Sequence, residues 1–251
     1  MTQSSLNIRL FVDKPLKNGT CINLSFAQFH YVSNVMRLEA GDRIFLFNGK
    51  DGEWCGIIKS IDKKTCLVTV KDQTRPQTRG RGPWLAFSPV KKMRTDFMIE
   101  KATELGTQYF CPVFTKNTNS ARIKISRLQM NAIGASEQCR RLTIPEIALP
   151  KSLEAFIKWW PRDRRLFVLD ESGAGQPIIQ ALDDLCDEAN GLFVECGFLT
   201  GPEGGFDASE LATFRELDFV VSIDLGPHIL RAETAALSAI ACWQAVIGIS
   251  N

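Results

Sequence analysis

Two glycine-containing segments near the end of this 251-residue chain have the composition of ligand-binding loops. The first, residues 200–206, reads TGPEGGF and precedes Asp207 and Glu210, which are spaced as a helix N-cap and its capping box. Its glycines permit close backbone approach to a ligand, and Pro202 fixes one φ angle. Such a loop offers N–H and C=O groups to a flat ligand, although an ordinary tight connection has the same composition. It matches no phosphate-binding glycine motif.

The second segment, residues 225–235, combines apolar side chains with two opposite charges. Arg231 and Glu233 stand where a helix should begin, and an Arg is unexpected there because the helix dipole favours anions. Either an anionic substrate group or a salt bridge of Arg231 with Glu203 or Glu233 would explain it. The residues expected to form apolar walls and exposed backbone are Leu225, Gly226, Pro227, Ile229 and Leu230.

Charge is distributed unevenly along the chain. Residues 79–165 carry 17 Lys+Arg against 7 Asp+Glu, whereas residues 166–251 carry 2 against 14. The basic part indicates a polyanionic partner such as RNA, and the acidic part suits a cationic small molecule. Complementary surfaces in an oligomer are the alternative interpretation.

Composition is that of an ordinary globular protein, with 45% hydrophobic and 23% charged residues. The eight cysteines form no C-x-x-C pair, and with two histidines they give no zinc spacing, so no metal is expected. We expect reduced thiols, a cytoplasmic location and no membrane association, because no apolar run approaches about 18 residues and no secretory signal begins the sequence.

The elements that position these segments fall into two patterns. Short β-like runs and one helix with Ser25 as N-cap predict a small N-terminal barrel, followed by a flexible basic linker at residues 73–83. The predicted strands there are residues 7–12, 43–48, 54–61 and 66–71, and the helix is residues 25–38. Beyond the linker, strands and helices alternate, which predicts a parallel sheet covered on both faces. The predicted strands are 84–87, 109–114, 166–169, 192–199 and 220–225, and the helices are 92–105, 122–139, 177–189, 208–217 and 233–247.

Both candidate loops follow predicted strands, and in such folds ligands lie at the carboxyl ends of strands. The last helix is rich in small residues and apolar nearly all round, which indicates burial in a core or in a subunit interface.

Taken together, these segments resemble the bacterial 16S rRNA (uracil-N3) methyltransferase family of the SPOUT (trefoil-knot) superfamily, over nearly the whole chain. The similar segments, in order, are residues 30–38 with 41–42 and 47–49, residues 92–106, residues 136–139 with 145–146, residues 201–206 and residues 225–235. The family usually has Arg where this chain has His228, and Gly-Arg where it has Arg140-Arg141. We expect these departures to alter RNA contacts and to leave cofactor binding unaffected.

The resemblance implies an α/β fold with two domains: a PUA-like RNA-binding β-barrel over residues 1–75 and a SPOUT methyltransferase domain over residues 76–251. The second domain would carry a parallel sheet and a C-terminal trefoil knot, and would form a homodimer. The implied reaction is methylation of uridine N3 in 16S rRNA of the small ribosomal subunit, with S-adenosylmethionine as cofactor. A SPOUT enzyme acting on another RNA site or a ribose 2′-hydroxyl, and a non-catalytic rRNA-binding assembly factor, are the alternatives.

Residue roles follow from this reaction. Uracil N3 must lose a proton, so we expect Arg231 to stabilise the resulting anion and Glu203 or Glu233 to accept the proton. The expected cofactor-binding residues are Leu169, Thr200, Gly201, Pro202, Glu203, Gly204, Leu225, Gly226, Ile229, Leu230 and Arg231. The expected RNA-binding residues are Arg9, Arg37, Arg75, Arg79, Arg81, Lys91, Lys92, Arg94, Arg140 and Arg141. Replacing Gly204 with Val is expected to abolish cofactor binding.

Overall fold

The computed structural model describes residues 8–119, 122–188 and 195–248, and their contacts form two compact units. The N-terminal unit contains the described residues up to Gly80 together with Ser136–Ile144. The C-terminal unit contains Arg81–Ala135 and the described residues from Pro145 onward. The predicted domain limits, residues 1–75 and 76–251, stay a prediction.

The N-terminal unit is built on a five-stranded sheet in the order β1-β3-β4-β5-β2. Its strands are β1 (Arg9–Phe11), β2 (Cys21–Asn23), β3 (Arg43–Phe47), β4 (Glu53–Ile61) and β5 (Cys66–Arg75). Neighbouring strands are antiparallel except for β1 and β3. β5 continues through Arg75, which pairs with Glu53, so the first residues of the predicted flexible linker belong to a strand. That part of the linker prediction is wrong because β4 offers a partner for these residues.

The helix of this unit is shorter than predicted. α1 (Phe26–His30) begins at Ser25, which forms the expected cap and a capping box with Gln28. The chain then continues as a π-helical segment, Tyr31–Val35, in which Met36 N donates to Tyr31 O at 2.9 Å. The prediction of one α-helix over residues 25–38 is therefore wrong beyond His30, although the apolar spacing does bury Phe29 and Val32.

The C-terminal unit contains a sheet in which every strand pair is parallel, in the order β11-β13-β10-β12-β6-β7-β8, with β9 also pairing to β7. The strands are β6 (Trp84–Phe87), β7 (Tyr109–Phe114), β8 (Glu146–Ile147), β9 (Lys151–Ser152), β10 (Arg165–Leu169), β11 (Gln176–Pro177), β12 (Cys196–Thr200) and β13 (Val220–Asp224). The two-residue strands β8, β9 and β11, like β2, were not predicted. Every residue of β12 is buried, as expected for a central parallel strand.

Six helices accompany this sheet: α2 (Lys92–Glu104), α3 (Ile125–Gln138), α4 (Leu153–Trp159), α5 (Ile178–Glu188), α6 (Ala208–Arg215) and α7 (Ala232–Val246). All except α4 were predicted, and Ala189, the last residue of the predicted α5, lies outside the described residues. α7 contacts α2, α5 and β12. Its Ala236, Ala239 and Ile240 are fully buried, whereas Ala241 and Ala245 are exposed, so α7 buries one face only.

All eight cysteines are free thiols. Over residues 8–119, 122–188 and 195–248, no helix is long and apolar enough to cross a membrane. Within the same ranges, no cluster of His, Cys, Asp and Glu side chains is arranged to hold a metal ion.

Candidate active site

A cavity of about 320 Å³ lies at the carboxyl edge of the parallel sheet. Three adjacent strands end there: β10 at Leu169, β12 at Thr200 and β13 at Asp224. Because parallel strands all deliver their following loops to the same edge, the two candidate loops meet around one space. The loops after β12 and β13 form two walls of the cavity, and the loop after β10 forms a third. Ala232 and Ala235 at the start of α7 also line the cavity.

Most of the residues expected to bind a cofactor line this cavity. They are Leu169, Thr200, Gly201, Pro202, Leu225, Gly226, Ile229 and Leu230. Glu203, Gly204 and Arg231 lie outside the lining. Residues outside the expected cofactor-binding set also line it: Asp170, Glu171, Ser172, Gly173, Gly205, Phe206, Ile223, Asp224, Pro227, His228, Ala232 and Ala235.

The first loop is folded as a tight turn. Gly205 N donates to Pro202 O at 3.0 Å, and Gly205 has a φ of +67°, in the left-handed region that favours glycine. A Cβ on Gly201 would lie 3.1 Å from the Phe206 ring. Asp207 caps α6, and Glu210 completes the capping box, as predicted. The turn therefore needs glycine at position 205, and the packing against Phe206 favours glycine at position 201.

Apolar side chains and carboxylates share the cavity wall. Leu169 and Ile223 are buried, while Asp170 accepts a hydrogen bond from Ser172 N at 2.9 Å and Asp224 accepts one from Gly226 N at 3.1 Å. Among its described lining residues the cavity has acidic groups and a histidine but no Lys or Arg. This wall favours a ligand that is partly flat and apolar and partly cationic.

An arginine from α2 joins the two candidate proton acceptors. Arg94 Nη1 lies 3.4 Å from Glu203 Oε1, and Arg94 Nε lies 3.6 Å from Glu233 Oε1. Glu233 is only 9% exposed, and its Oε2 has no hydrogen-bond partner within the described chain. The salt-bridge alternative for Arg231 is wrong, because within the described residues both carboxylates pair with Arg94 and neither forms an ion pair with Arg231.

Arg231 itself stands as the N-cap residue of α7, with an extended backbone and no side-chain cap hydrogen bond. Its side chain is exposed and forms no ion pair with the part of the chain that the structure describes. It thus differs from Arg94 in being available to a group that arrives from solvent.

Arg9 does not have the surface position expected of an RNA-binding residue. Arg9 is 6% exposed, and its Nε donates to Glu53 Oε2 at 2.6 Å. Its guanidinium carbon lies over the Phe47 ring, 4.4 Å from the ring centroid. Its Nη atoms donate to the carbonyl oxygens of Ser136, Glu137 and Arg141. The assignment of Arg9 to RNA is corrected, because its side chain is buried and its hydrogen-bond donors bind carbonyl oxygens of the 136–144 segment.

Most of the other candidate RNA-binding residues are exposed: Arg37, Arg75, Arg79, Arg81, Lys91, Lys92 and Arg140. Lys91, Lys92 and Arg94 line an open depression of about 500 Å³ together with Glu203. Arg141 is half-buried, and this burial lowers its pKa to about 10. Arg37 and Arg140 have φ angles of +55° and +61°, the two described non-glycine residues in the left-handed region.

Comparison with known proteins places this arrangement in a family. A family model described as RNA methyltransferase domain matches residues 83–244, and one described as RNA methyltransferase PUA domain matches residues 27–71. The chain is 32% identical to the ribosomal RNA small subunit methyltransferase E of Rickettsia conorii over 234 residues, 93% of each chain. It is 29% identical to the protein of that name from Synechocystis sp., over 90% of this chain and 73% of the relative.

A methyltransferase of Legionella pneumophila, solved with its bound cofactor SAM, has the same fold. The TM-score is 0.81 at 25% identity, covering 95% of this chain and 97% of that one. Fold, site and matches together define the class as an RNA methyltransferase with a parallel-sheet core and an N-terminal PUA domain, which confirms the predicted fold class and enzyme class. The chain belongs to the ribosomal RNA small subunit methyltransferase E family.

Proposed function

We propose that this chain transfers the methyl group of S-adenosylmethionine to N3 of a uridine in the 16S rRNA of the small ribosomal subunit. The observation that carries the proposal is the cavity at the carboxyl edge of β10, β12 and β13, which is lined by both candidate ligand-binding loops, residues 200–206 and 225–235. The relatives named ribosomal RNA small subunit methyltransferase E support the substrate, and the SAM-bound Legionella structure supports the cofactor.

The residues of the cavity fit S-adenosylmethionine. The volume of about 320 Å³ is within the range of roughly 300–1,000 Å³ typical of small-ligand sites. Leu169, Ile223 and Leu230 offer apolar surface to an adenine ring, and Asp170 and Asp224 offer carboxylates to a cation. When bound, the cofactor supplies an electrophilic methyl group on a positively charged sulfur.

Arg231 is assigned to the developing negative charge on the uracil. Removing the N3 proton spreads charge onto the two ring carbonyl oxygens, and a nearby guanidinium stabilises it. Arg231 is exposed and has no carboxylate partner within residues 8–119, 122–188 and 195–248, so a substrate oxygen can approach it without breaking an ion pair. Its place outside the cavity lining is consistent with a contact to substrate rather than to cofactor.

Glu203 is assigned as the proton acceptor. Its side chain is 31% exposed, against 11% for Glu233, and it lines the open depression beside the loop. A base must come within hydrogen-bond distance of the proton it removes, and the more exposed carboxylate is the more accessible of the two to a substrate. Glu233 then acts by holding Arg94, which in turn orients Glu203.

The exposed cations provide the RNA-binding surface. Lys91, Lys92 and Arg94 at the start of α2 lie beside Glu203, where phosphates flanking the target nucleotide would pass. N3 lies on the Watson–Crick edge, so the target uridine must be unpaired or flipped out to reach the cofactor. Arg37, Arg75, Arg79, Arg81, Arg140 and Arg141 are assigned to RNA without a role in catalysis.

A homodimer through the C-terminal domain and a cytoplasmic location complete the proposal. The outer face of α7 supports the dimer, since Ala241 and Ala245 leave room for a second helix to approach closely. An Ala241→Arg substitution should yield monomers in analytical ultracentrifugation, whereas an unchanged dimer would exclude this face. The trefoil knot stays a prediction of the family resemblance.

The decisive experiment uses methyl-labelled S-adenosylmethionine and small ribosomal subunits from cells that lack the homologous enzyme. After reaction, the RNA is digested and the labelled nucleoside is identified by mass spectrometry. Label in 3-methyluridine is expected. Label in another nucleoside or on a ribose would refute the N3 assignment, and cofactor binding without label would refute this substrate.

A further inference from the structure

The turn that follows β7 contacts residues 200–206, here called the cofactor loop, from outside the cavity. Thr118 N donates to Thr115 O at 3.1 Å, and Thr115 N donates to Thr118 Oγ1 at 2.9 Å, so residues 115–118 form a closed turn. Thr115 also shares a hydroxyl hydrogen bond of 3.3 Å with buried Ser88, whose N–H donates to Thr200 O at 2.9 Å. The turn is therefore tied through Ser88, the residue after β6, to Thr200, at which the cofactor loop begins.

Two residues of this turn, one through its side chain and one through its backbone N–H, reach the loop and the helix after it. Asn117 Nδ2 donates to Gly204 O and to Gly205 O, each at 3.2 Å. Lys116 N donates to buried Glu210 at 2.9 Å. The other carboxylate oxygen of Glu210 accepts from Asp207 N at 2.9 Å, so the end of the loop is fixed as well.

We infer that Asn117 is a positioning residue for S-adenosylmethionine binding. It does not line the cavity, yet its amide is the group that holds the middle of the loop, on the side away from the ligand. Both of its partners are carbonyl oxygens, so only the amide nitrogen can serve as donor. By keeping the Gly204 and Gly205 carbonyls turned outward, Asn117 fixes how the Gly201 and Pro202 backbone faces the cavity.

This inference rests on the proposed function, since the ligand of the loop is the proposed cofactor. Asn117→Asp tests it with a nearly isosteric change, because a carboxylate oxygen then faces two carbonyl oxygens. Asn117→Ser removes the same hydrogen bonds without adding charge. The matched control is Asn34→Asp, since Asn34 is exposed in the N-terminal unit and uses its Oδ1 as an acceptor from Ser33, which Asp retains.

Titration calorimetry with S-adenosylmethionine gives the first readout, on the full chain. Loss of two neutral hydrogen bonds should weaken the Kd by roughly 10- to 30-fold for Asn117→Asp, and less for Asn117→Ser. Asn34→Asp should bind like the unaltered protein. An unchanged Kd in both Asn117 variants would overturn the inference.

Amide hydrogen exchange of residues 201–206 in the ligand-free protein gives the second readout. Faster exchange in the Asn117 variants, with the global unfolding transition preserved, is the expected result. Faster exchange with an unchanged Kd would mean that the loop is held but not for this cofactor, which overturns the inference. If the unaltered protein fails to bind S-adenosylmethionine, the proposed function fails on its own, and the positioning role is overturned with it.

Discussion

Gly205 is the position where a single added methyl group should do most damage to cofactor binding. Its φ of +67° lies in the left-handed region, which costs an L-residue roughly 1–2 kcal/mol. An added Cβ would also overlap Glu171 Oε1, but this is the end of an exposed, flexible side chain that can move aside. Backbone strain therefore dominates the effect of Gly205→Ala.

That strain is relieved if the loop leaves its binding conformation. At about 1.4 kcal/mol for each factor of ten, 1–2 kcal/mol corresponds to a Kd for S-adenosylmethionine weakened by roughly 5- to 30-fold. Titration calorimetry measures this directly, and the ligand-free variant should still unfold cooperatively, because Gly205 lies in the loop between β12 and α6 and not within a strand or helix.

The neighbouring glycine supplies a matched control. Gly204 is not in the left-handed region and lies outside the cavity lining, and a Cβ there would meet Asn117 Cβ at 3.4 Å, a close but unforced contact. Gly204→Ala should therefore change the Kd little. The sequence predicted that a side chain at position 204 would disrupt cofactor binding, whereas the structure leads us to expect that effect at position 205. A larger loss at position 204 than at position 205 would refute this account of the loop.

Three further substitutions test the other assignments. Arg231→Ala should lower kcat about 100-fold with an unchanged cofactor Kd. A single-turnover methylation rate equal to that of the unaltered enzyme would remove Arg231 from the mechanism. Glu203→Gln should abolish the acidic limb of the pH–rate profile, and a profile identical to that of the unaltered enzyme would exclude it as the base. Arg140→Gly should raise the free energy of unfolding in urea by about 1 kcal/mol, because the φ of +61° suits glycine. Burial raises the pKa of Glu137, so its ionised form destabilises the fold. Glu137→Gln keeps the hydrogen-bond acceptor for Phe11 N and should increase the free energy of unfolding at pH values above that raised pKa. The gain should vanish below about pH 4, where the carboxyl is protonated in both the folded and the unfolded protein.

Most strands and helices of the C-terminal unit were predictable because their apolar patterns extend over several residues. β12 and α5 show this, since each is a continuous or periodic apolar run bounded by turn residues. β8 and β11 have two residues each, too few for any period, and they exist because a neighbouring strand offers hydrogen bonds. α4 has only seven residues; its cap, Ser152, and the Glu154–Lys158 pair are local signals that would have found it.

The site was predictable to the extent that it follows from strand ends. The rule that ligands lie beyond the carboxyl ends of parallel strands led to the loops after β12 and β13. Asp170 and Glu171 follow β10 and satisfy the same rule, so the acidic wall was available to the same reasoning. The pairing of Arg9 with Glu53, 44 residues away, has no local signal, because only the folded sheet brings the two together.

Two arginines lie beside the first turn of α7, and they differ in whether a carboxylate pairs with them. Arg94, which comes from α2, holds Glu203 and Glu233, and a mostly buried carboxylate such as Glu233 would be costly without a cation. Arg231 gives the fold no comparable benefit: it stands where the helix dipole repels a cation, it contributes no side-chain cap, and no described carboxylate pairs with it. Stability alone would favour Ser, Thr, Asp or Asn at that position. The exposed position of Arg231 beside the cavity therefore supports the proposal that it stabilises an anion that forms only when the substrate reacts.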